Sequence, residues 1–249
     1  MKRILVICSL LTTLSACVSP ISGLQKSGSF SVENLKKDGV MVGVVISAIA
    51  SETNQATQNY DAELARKLTD KFKIPVSANQ CLSNDAVQQI QDSLRAQPAL
   101  NTSARTAIAN AKCSARYIVL SRIERDEISQ RREVRQDYVF LHHAPGMLMQ
   151  NEDTVVEVNF IRERKVVSAF WVIDAQTGES VWSAAITESE PAISRNSRVF
   201  PSLNMLNQVW ADDYIRSLPE TNSGLYPAPV AREAVWETVT KTFATQLNR

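Results

Sequence analysis

Histidine and glycine are scarce in this chain, with two histidines and seven glycines in 249 residues. So few glycines leave little room for a loop whose bare backbone cradles a phosphate, and no Gly-x-x-x-x-Gly-Lys-Ser/Thr stretch occurs. The Gly-x-Ser-x-Gly elbow and the His-Glu-x-x-His helix are also missing. No catalytic residue and no cofactor are therefore expected, and a hydrolase with an unrecognised site is a distant third reading. His142 and His143 are adjacent, so on a strand they point to opposite sides, and Glu152 and Asp153 do not complete a ligand spacing. No metal is expected. There is no Cys-x-x-Cys pair to carry redox catalysis. The formal charge is only +1, which argues against a nucleic-acid partner.

What is present begins at the N-terminus. Met1-Lys2-Arg3 precedes an apolar run of roughly a dozen residues, shorter than the roughly 20 that a spanning helix needs. The run ends in Leu14-Ser15-Ala16-Cys17, which resembles the lipobox of bacterial lipoproteins. That resemblance implies cleavage after residue 16 and acylation of the Cys17 thiol; an ordinary secretory signal is the alternative, and either one exports the chain. Val18, rather than Asp, follows the cysteine, which by the same resemblance implies the periplasmic leaflet of the outer membrane. Three acyl chains on one cysteine, palmitate included, would hold almost permanently where a single chain holds weakly. Cleavage removes Lys2 and Arg3 and takes the formal charge from +1 to −1.

Of four cysteines, Cys8 leaves with the signal and Cys17 is the lipid site. Cys81 and Cys113 remain, 32 positions apart, and in an oxidising compartment they read first as a disulfide. Two unrelated buried thiols are the alternative, since sequence does not supply the geometry.

Residues 17–38 are mostly polar with no sustained period and read as a lipidated N-terminus and flexible tether, so that residues 39–249 form one domain. Val40, Met41, Val42, Val44, Val45 and Ile46 form an apolar run typical of a strand covered on both faces. Leu64, Leu68 and Phe72 then mark a helical face, and a short second strand is expected at 74–78. Val87, Ile90 and Leu94 mark a second helix, capped by Ser83 or Asn84 and closed by Pro98; an Ala-rich third helix covers 103–111. A strong strand follows at 115–123. The expected fold class is α/β: a mixed β-sheet with helices packed on it, a β-α-β-α-α-β opening, a β-hairpin second half and a C-terminal helix. Strands are expected at 155–160, 166–174 and 180–187, the last two joined by a turn in which Gly178 takes positive φ. Residues 131–153 read as a loop. Residues 190–228 read as an insertion, and Val235, Val239, Phe243 and Leu247 mark the last helix.

The Asp174-x-x-Thr177-Gly178-x-x-Val181-Trp182-Ser183 hairpin, the "ARYIVLSRI" strand and the C-terminal helix together resemble a group of periplasmic lipoprotein domains that includes CsgG, LpoB and the N-terminal domain of TolB. The resemblance implies an α/β sandwich that binds other proteins and offers no catalytic residues. The first reading is thus a non-enzymatic scaffold or activator bound to another envelope protein. The second is a subunit of an oligomeric secretion channel of the curli type, ranked lower because Arg162, Glu163, Arg164 and Lys165 interrupt an apolar strand. Self-association is left open. Leu203, Leu206, Trp210 and Tyr214 recur at helical spacing within the insertion; they are either core or a partner-binding patch, with Leu206, Trp210 and Tyr214 as the candidate contacts. The mixed charges at 122–135 suit a solvated strand edge that resists edge-to-edge pairing.

Overall fold

The computed structural model describes residues 20–49, 54–78, 81–140, 152–201, 207–219 and 224–248. Val40–Ser47 (β2) is buried at every position but Ser47, as an unalternating apolar run must be when both faces of a sheet are covered. It pairs in parallel with Tyr117–Phe140 (β4) on one side and with Ser77–Ala78 (β3) on the other. From β4 the chain runs as an antiparallel meander through Glu152–Asp174 (β5) and Glu179–Phe200 (β6). Ile21–Lys26 (β1) closes the far side, antiparallel to β6. The result is one mixed six-stranded sheet, β1-β6-β5-β4-β2-β3, not closed into a barrel.

Helices cover both faces of its lower half. On one face lie Val32–Asp38 (α1), Asn54–Phe72 (α2) and Arg232–Gln246 (α6). Their Leu35, Leu64, Leu68, Val235, Val239 and Phe243 meet Val42, Val119, Phe170 and Trp182 of the sheet. The Phe170 and Phe243 rings stack at 4.3 Å. On the other face, Asn84–Ala96 (α3) and Thr102–Asn110 (α4) set Ile90, Leu94, Ala104 and Ile108 against Ile118, Leu120, Trp171 and Ile173. Each large aliphatic or Phe side chain fully buried here stabilises the fold by roughly 1.5–3 kcal/mol. Both short helices are held at their starts by side chains: Ser83 Oγ accepts from the Ala86 amide at 3.2 Å and Asn101 Oδ1 from Ala104 at 2.8 Å.

Where the two layers differ from the sequence expectation, the cause is tertiary. Residues 21–38, expected to be tether, form β1 and α1, with Phe30 and Leu35 buried. Their apolar residues are too few and too widely spaced to show a period; the strand is an edge strand with a register shift between Ser22 and Gln25. The short strand expected at 74–78 is reduced to Ser77–Ala78. The stretch 131–153 is no loop at either end, because β4 continues to Phe140 and β5 begins at Glu152. The strands expected at 155–160 and 166–174 are one strand, running through Arg162, Glu163, Arg164 and Lys165. The first part of the 190–228 insertion, Glu190 through Phe200, is the end of β6, and Asn207–Ser217 is a helix (α5).

Candidate interaction surface

Beyond Ile123 on β4 and Ile186 on β6 the sheet loses its outer strands and continues as three alone. At about 3.3 Å per residue the 14 residues of β6 from 187 to 200 extend roughly 45 Å past the last pairing with β1. The β4–β5 and β5–β6 ladders run unbroken over this length, with Gln136, Val156 and Arg198 in register near the far end. The ribbon is thereby a rigid arm. Its outer margins, β4 and β6, pair with no further strand among the described residues.

The arm has unlike faces. On the side shared with α2 and α6, Val156, Val158 and Phe160 of β5 are buried beneath α5, with Ala211, Phe200 and Tyr226. Tyr226 meets the Phe160 ring edge-on at 5.3 Å, and Tyr214 lies 5.7 Å from Phe200. The Arg198 guanidinium sits over both Phe200 and Tyr214, at 5.3 and 5.2 Å. Arg132 donates to the carbonyls of Leu218 at 2.6 Å and Ile215 at 3.4 Å, satisfying the end of α5. A small second core therefore holds α5 in place.

A polar belt separates this core from the main one. Asp126 lies 2.5 Å from Arg232 of α6 and 3.2 Å from Arg164 of β5. Burial pushes the Asp126 carboxyl up while Arg164 pulls it down. Glu188 and Glu190 of β6 accept from Thr242 and Thr238 of α6, each at 2.6 Å. These contacts brace the base of the arm against the C-terminal helix.

The opposite face carries no helix among the described residues. Arg131 bridges Glu133 at 3.0 Å and Glu163 at 2.8 Å, Ser189 donates to Glu163 at 2.7 Å, and Arg135 meets Asp137 at 2.8 Å. The Ser189 hydroxyl, with Arg131 beside it, holds the Glu163 carboxyl below its usual range. Ile193 and Val199 stand open among these charges, 46% and 52% exposed.

Of the residues expected to act, Cys17, Leu206 and Leu203 lie outside the described residues, as do His142 and His143. Cys81 and Cys113 are joined, with Cα atoms 5.3 Å apart, tying the approach to α3 to the end of α4. The α5 stripe splits: Tyr214 packs into the second core, whereas Trp210 is 42% exposed beside Val209. Among the described residues no group of His, Cys, Asp and Glu is placed to hold a metal, and no helix is long and apolar enough to cross a membrane.

Two polar sites were not legible from spacing. Arg116, at the head of β4, donates to Asp38 at 3.1 Å and to Asp174 at 2.9 Å, pinning the end of α1 to the β5–β6 turn. Nothing local announces three residues so far apart in sequence. The second is Asp61 on α2, whose carboxylate accepts the Val45 amide at 2.9 Å where β2 shifts register. Burial pushes its pKa from the ordinary 3.8 to about 7, against the lowering effect of that hydrogen bond. The folded chain thus holds this proton more tightly than the unfolded one. The stabilisation is complete below about pH 4 and is lost as pH rises through 7. Thermal melts from pH 5 to 8 should show the wild type losing more stability than Asp61→Asn, whose amide oxygen keeps the Val45 bond; parallel slopes would refute the assignment.

No protein-family model matches the chain, and no curated protein matches it either. Among solved structures, similarity is found to a PelC dodecamer from Paraburkholderia phytofirmans, at 14% identity over 91% of this chain and 96% of that one, with a TM-score of 0.37. Lipoprotein GNA1162 from Neisseria meningitidis is 11% identical over 72% of this chain and 99% of that one, with a TM-score of 0.28. A minor lipoprotein from Acinetobacter baumannii is 11% identical over 86% and 91%, with a TM-score of 0.21. Likenesses this loose assign no role, so the functional reading rests on the chain's own residues.

Proposed function

We propose that the chain is a non-enzymatic, lipid-anchored protein of the bacterial envelope, a scaffold or activator that binds another envelope protein through its three-stranded arm. The observation that carries this reading is the arm itself: roughly 45 Å of rigid sheet with, among the described residues, two unpaired margins and a face left bare. Such a surface is costly for a monomer to leave exposed, because unpaired strand margins invite association. The Cys81–Cys113 bridge fits an oxidising compartment, and the lipobox-like Leu14-Ser15-Ala16-Cys17 supplies export and anchor. A domain kinship with CsgG, LpoB and the TolB N-terminal domain, and a place on the periplasmic face of the outer membrane, belong to the same proposal. Partner contacts fall on the bare face, where Arg131, Glu133, Arg135 and Glu163 offer charges of both signs around Ile193 and Val199.

A secretion-channel subunit is the second reading, favoured by strand length alone, since β5 has 23 residues where a spanning strand needs roughly ten. Against it, the bare face carries ion pairs across the height where a lipid-facing apolar band would have to lie. Native gels decide between them, as a ring of many copies is required for a channel and a monomer or dimer excludes one.

Two experiments test the first reading. Replacing Cys17 with serine should move the protein from the membrane fraction to the soluble periplasm; continued partition with outer membranes places the anchor elsewhere. A photo-crosslinking residue at Ser129 or Glu133 should capture one envelope protein in intact cells, while the same residue at exposed Lys71 on α2 should capture none. Capture from Lys71 alone would place the partner on the helical layer instead.

A further inference from the structure

The strand that follows the lipid site joins the sheet at the foot of the arm. The Thr187 amide donates to the Pro20 carbonyl at 2.8 Å, and Ile21 stands opposite Ile186. Cys17 is three residues before Pro20, a reach of at most about 11 Å at 3.6 Å per residue. An acylated Cys17 therefore brings the bilayer surface within that distance of Thr187. There is no long tether, so the membrane meets the molecule on the β1–β6 side, where the arm begins.

That side of the arm has the chemistry of an interfacial surface. Leu24 on β1 is 45% exposed, and Trp210 on α5 is 42% exposed. Trp210 falls one helical turn before Tyr214, whose ring lies under Arg198 of β6, so α5 presents its indole on the β6 side. Arg195 and Arg198 stand exposed on the outer half of β6, and among the described residues neither lies within ion-pair distance of a carboxylate. The acids of β6 beyond Ile186, Glu188 and Glu190, are at the base of the arm and turned to the threonines of α6. Exposed arginines with no carboxylate partner, beside an exposed indole, suit phosphate headgroups over acyl chains, since Trp seats at the boundary and cations gather at anionic lipid.

We infer that the β6 margin of the arm, through Arg195, Arg198 and Trp210, lies on an anionic bilayer surface, with the Cys17 lipid fixing its near end. This inference rests on the reading of Cys17 as acylated. It leaves the bare face and the β4 margin free for the protein partner. The lipid then does more than anchor; it sets the direction in which the arm is presented.

The four tryptophans make a direct test, because Trp171, Trp182 and Trp236 are at most 8% exposed and Trp210 alone is open. Acylated full-length protein is reconstituted in phosphatidylethanolamine–phosphatidylglycerol vesicles with and without brominated acyl chains. The brominated lipid should quench its emission, Trp210→Phe should remove at least two thirds of the quenching, and Arg195→Glu with Arg198→Glu should at least halve it. Mass spectrometry of the N-terminal peptide from the same sample separates the two premises. An unmodified Cys17 overturns the anchor and this inference together. An acylated Cys17 with no quenching, or with quenching equal in Trp210→Phe, overturns the inference alone and returns the exposed indole to a protein contact.

Discussion

Gly178→Ala should lower the melting temperature by about 9 °C. Gly178 closes the β5–β6 turn with φ at +71°, and a Cβ placed there would lie 2.4 Å from the Arg105 carbonyl oxygen of α4. The turn is already committed on every side: the Gly178 amide donates to the Asp174 carbonyl at 2.8 Å, the Gln176 amide to Asp174 Oδ1 at 2.9 Å, and Arg116 to Asp174 Oδ2. It cannot step away without releasing these bonds. A left-handed alanine costs roughly 1–2 kcal/mol, and forcing α4 outward costs about as much again. The sum is about 3 kcal/mol, worth roughly 2–4 °C per kcal/mol in a chain of this size. Gly28→Ala is the control, because nothing lies within 4 Å of its Cβ position; circular-dichroism melts of both variants check the result. Equal melts for the two would mean that the turn is not seated beneath α4.

Removal of the disulfide should have an effect of similar size by a different route. Closing the 32-residue separation between Cys81 and Cys113 restricts the unfolded chain by roughly 3–4 kcal/mol. The bridge joins the two ends of the α3–α4 layer, which otherwise holds to the sheet through Ile90, Leu94, Ala104 and Ile108. Urea titration of Cys81→Ala with Cys113→Ala should show a lower midpoint and a somewhat steeper slope, because the unbridged unfolded chain exposes more surface. Reductant should then shift the wild-type midpoint to that of the double variant and leave the variant where it is. A wild-type midpoint insensitive to reductant under denaturing conditions would mean that the bond does not form in the cell.

The pairing of strands explains why the arm escaped a reading by periodicity. A strand buried on both sides, such as β2, shows an unbroken apolar run, and a strand buried on one side alternates. Residues 124–140 of β4 do neither, because β4 is a margin whose two faces both meet charge: Asp126 turns to Arg164 and Arg232, and Arg131 to Glu163. Its neighbours across the ladder are what make it a strand. The four charges from Arg162 to Lys165 likewise read as a break, yet Arg164 is paired with Asp126 and Glu163 with Arg131 and Ser189 within one continuous β5. The α5 stripe was legible as a helix, but its division into packed Tyr214 and open Trp210 depends on which side of the helix the ribbon covers.

By itself the sequence determined the elements whose apolar spacing matches their own geometry: β2, the inward faces of α2, α3 and α6, the cap at Ser83, and the glycine turn at 178. Those depend on residues within a few positions of one another, so local chemistry suffices. Only the tertiary structure decided that residues 21–38 join the fold, that β4, β5 and β6 outrun the sandwich as an arm, and that Arg116 gathers Asp38 and Asp174. Each of these is a pairing between distant segments, stabilised by partners that the local sequence does not contain; hydrogen bonds along a strand and charges across a ladder take their value from what lies opposite.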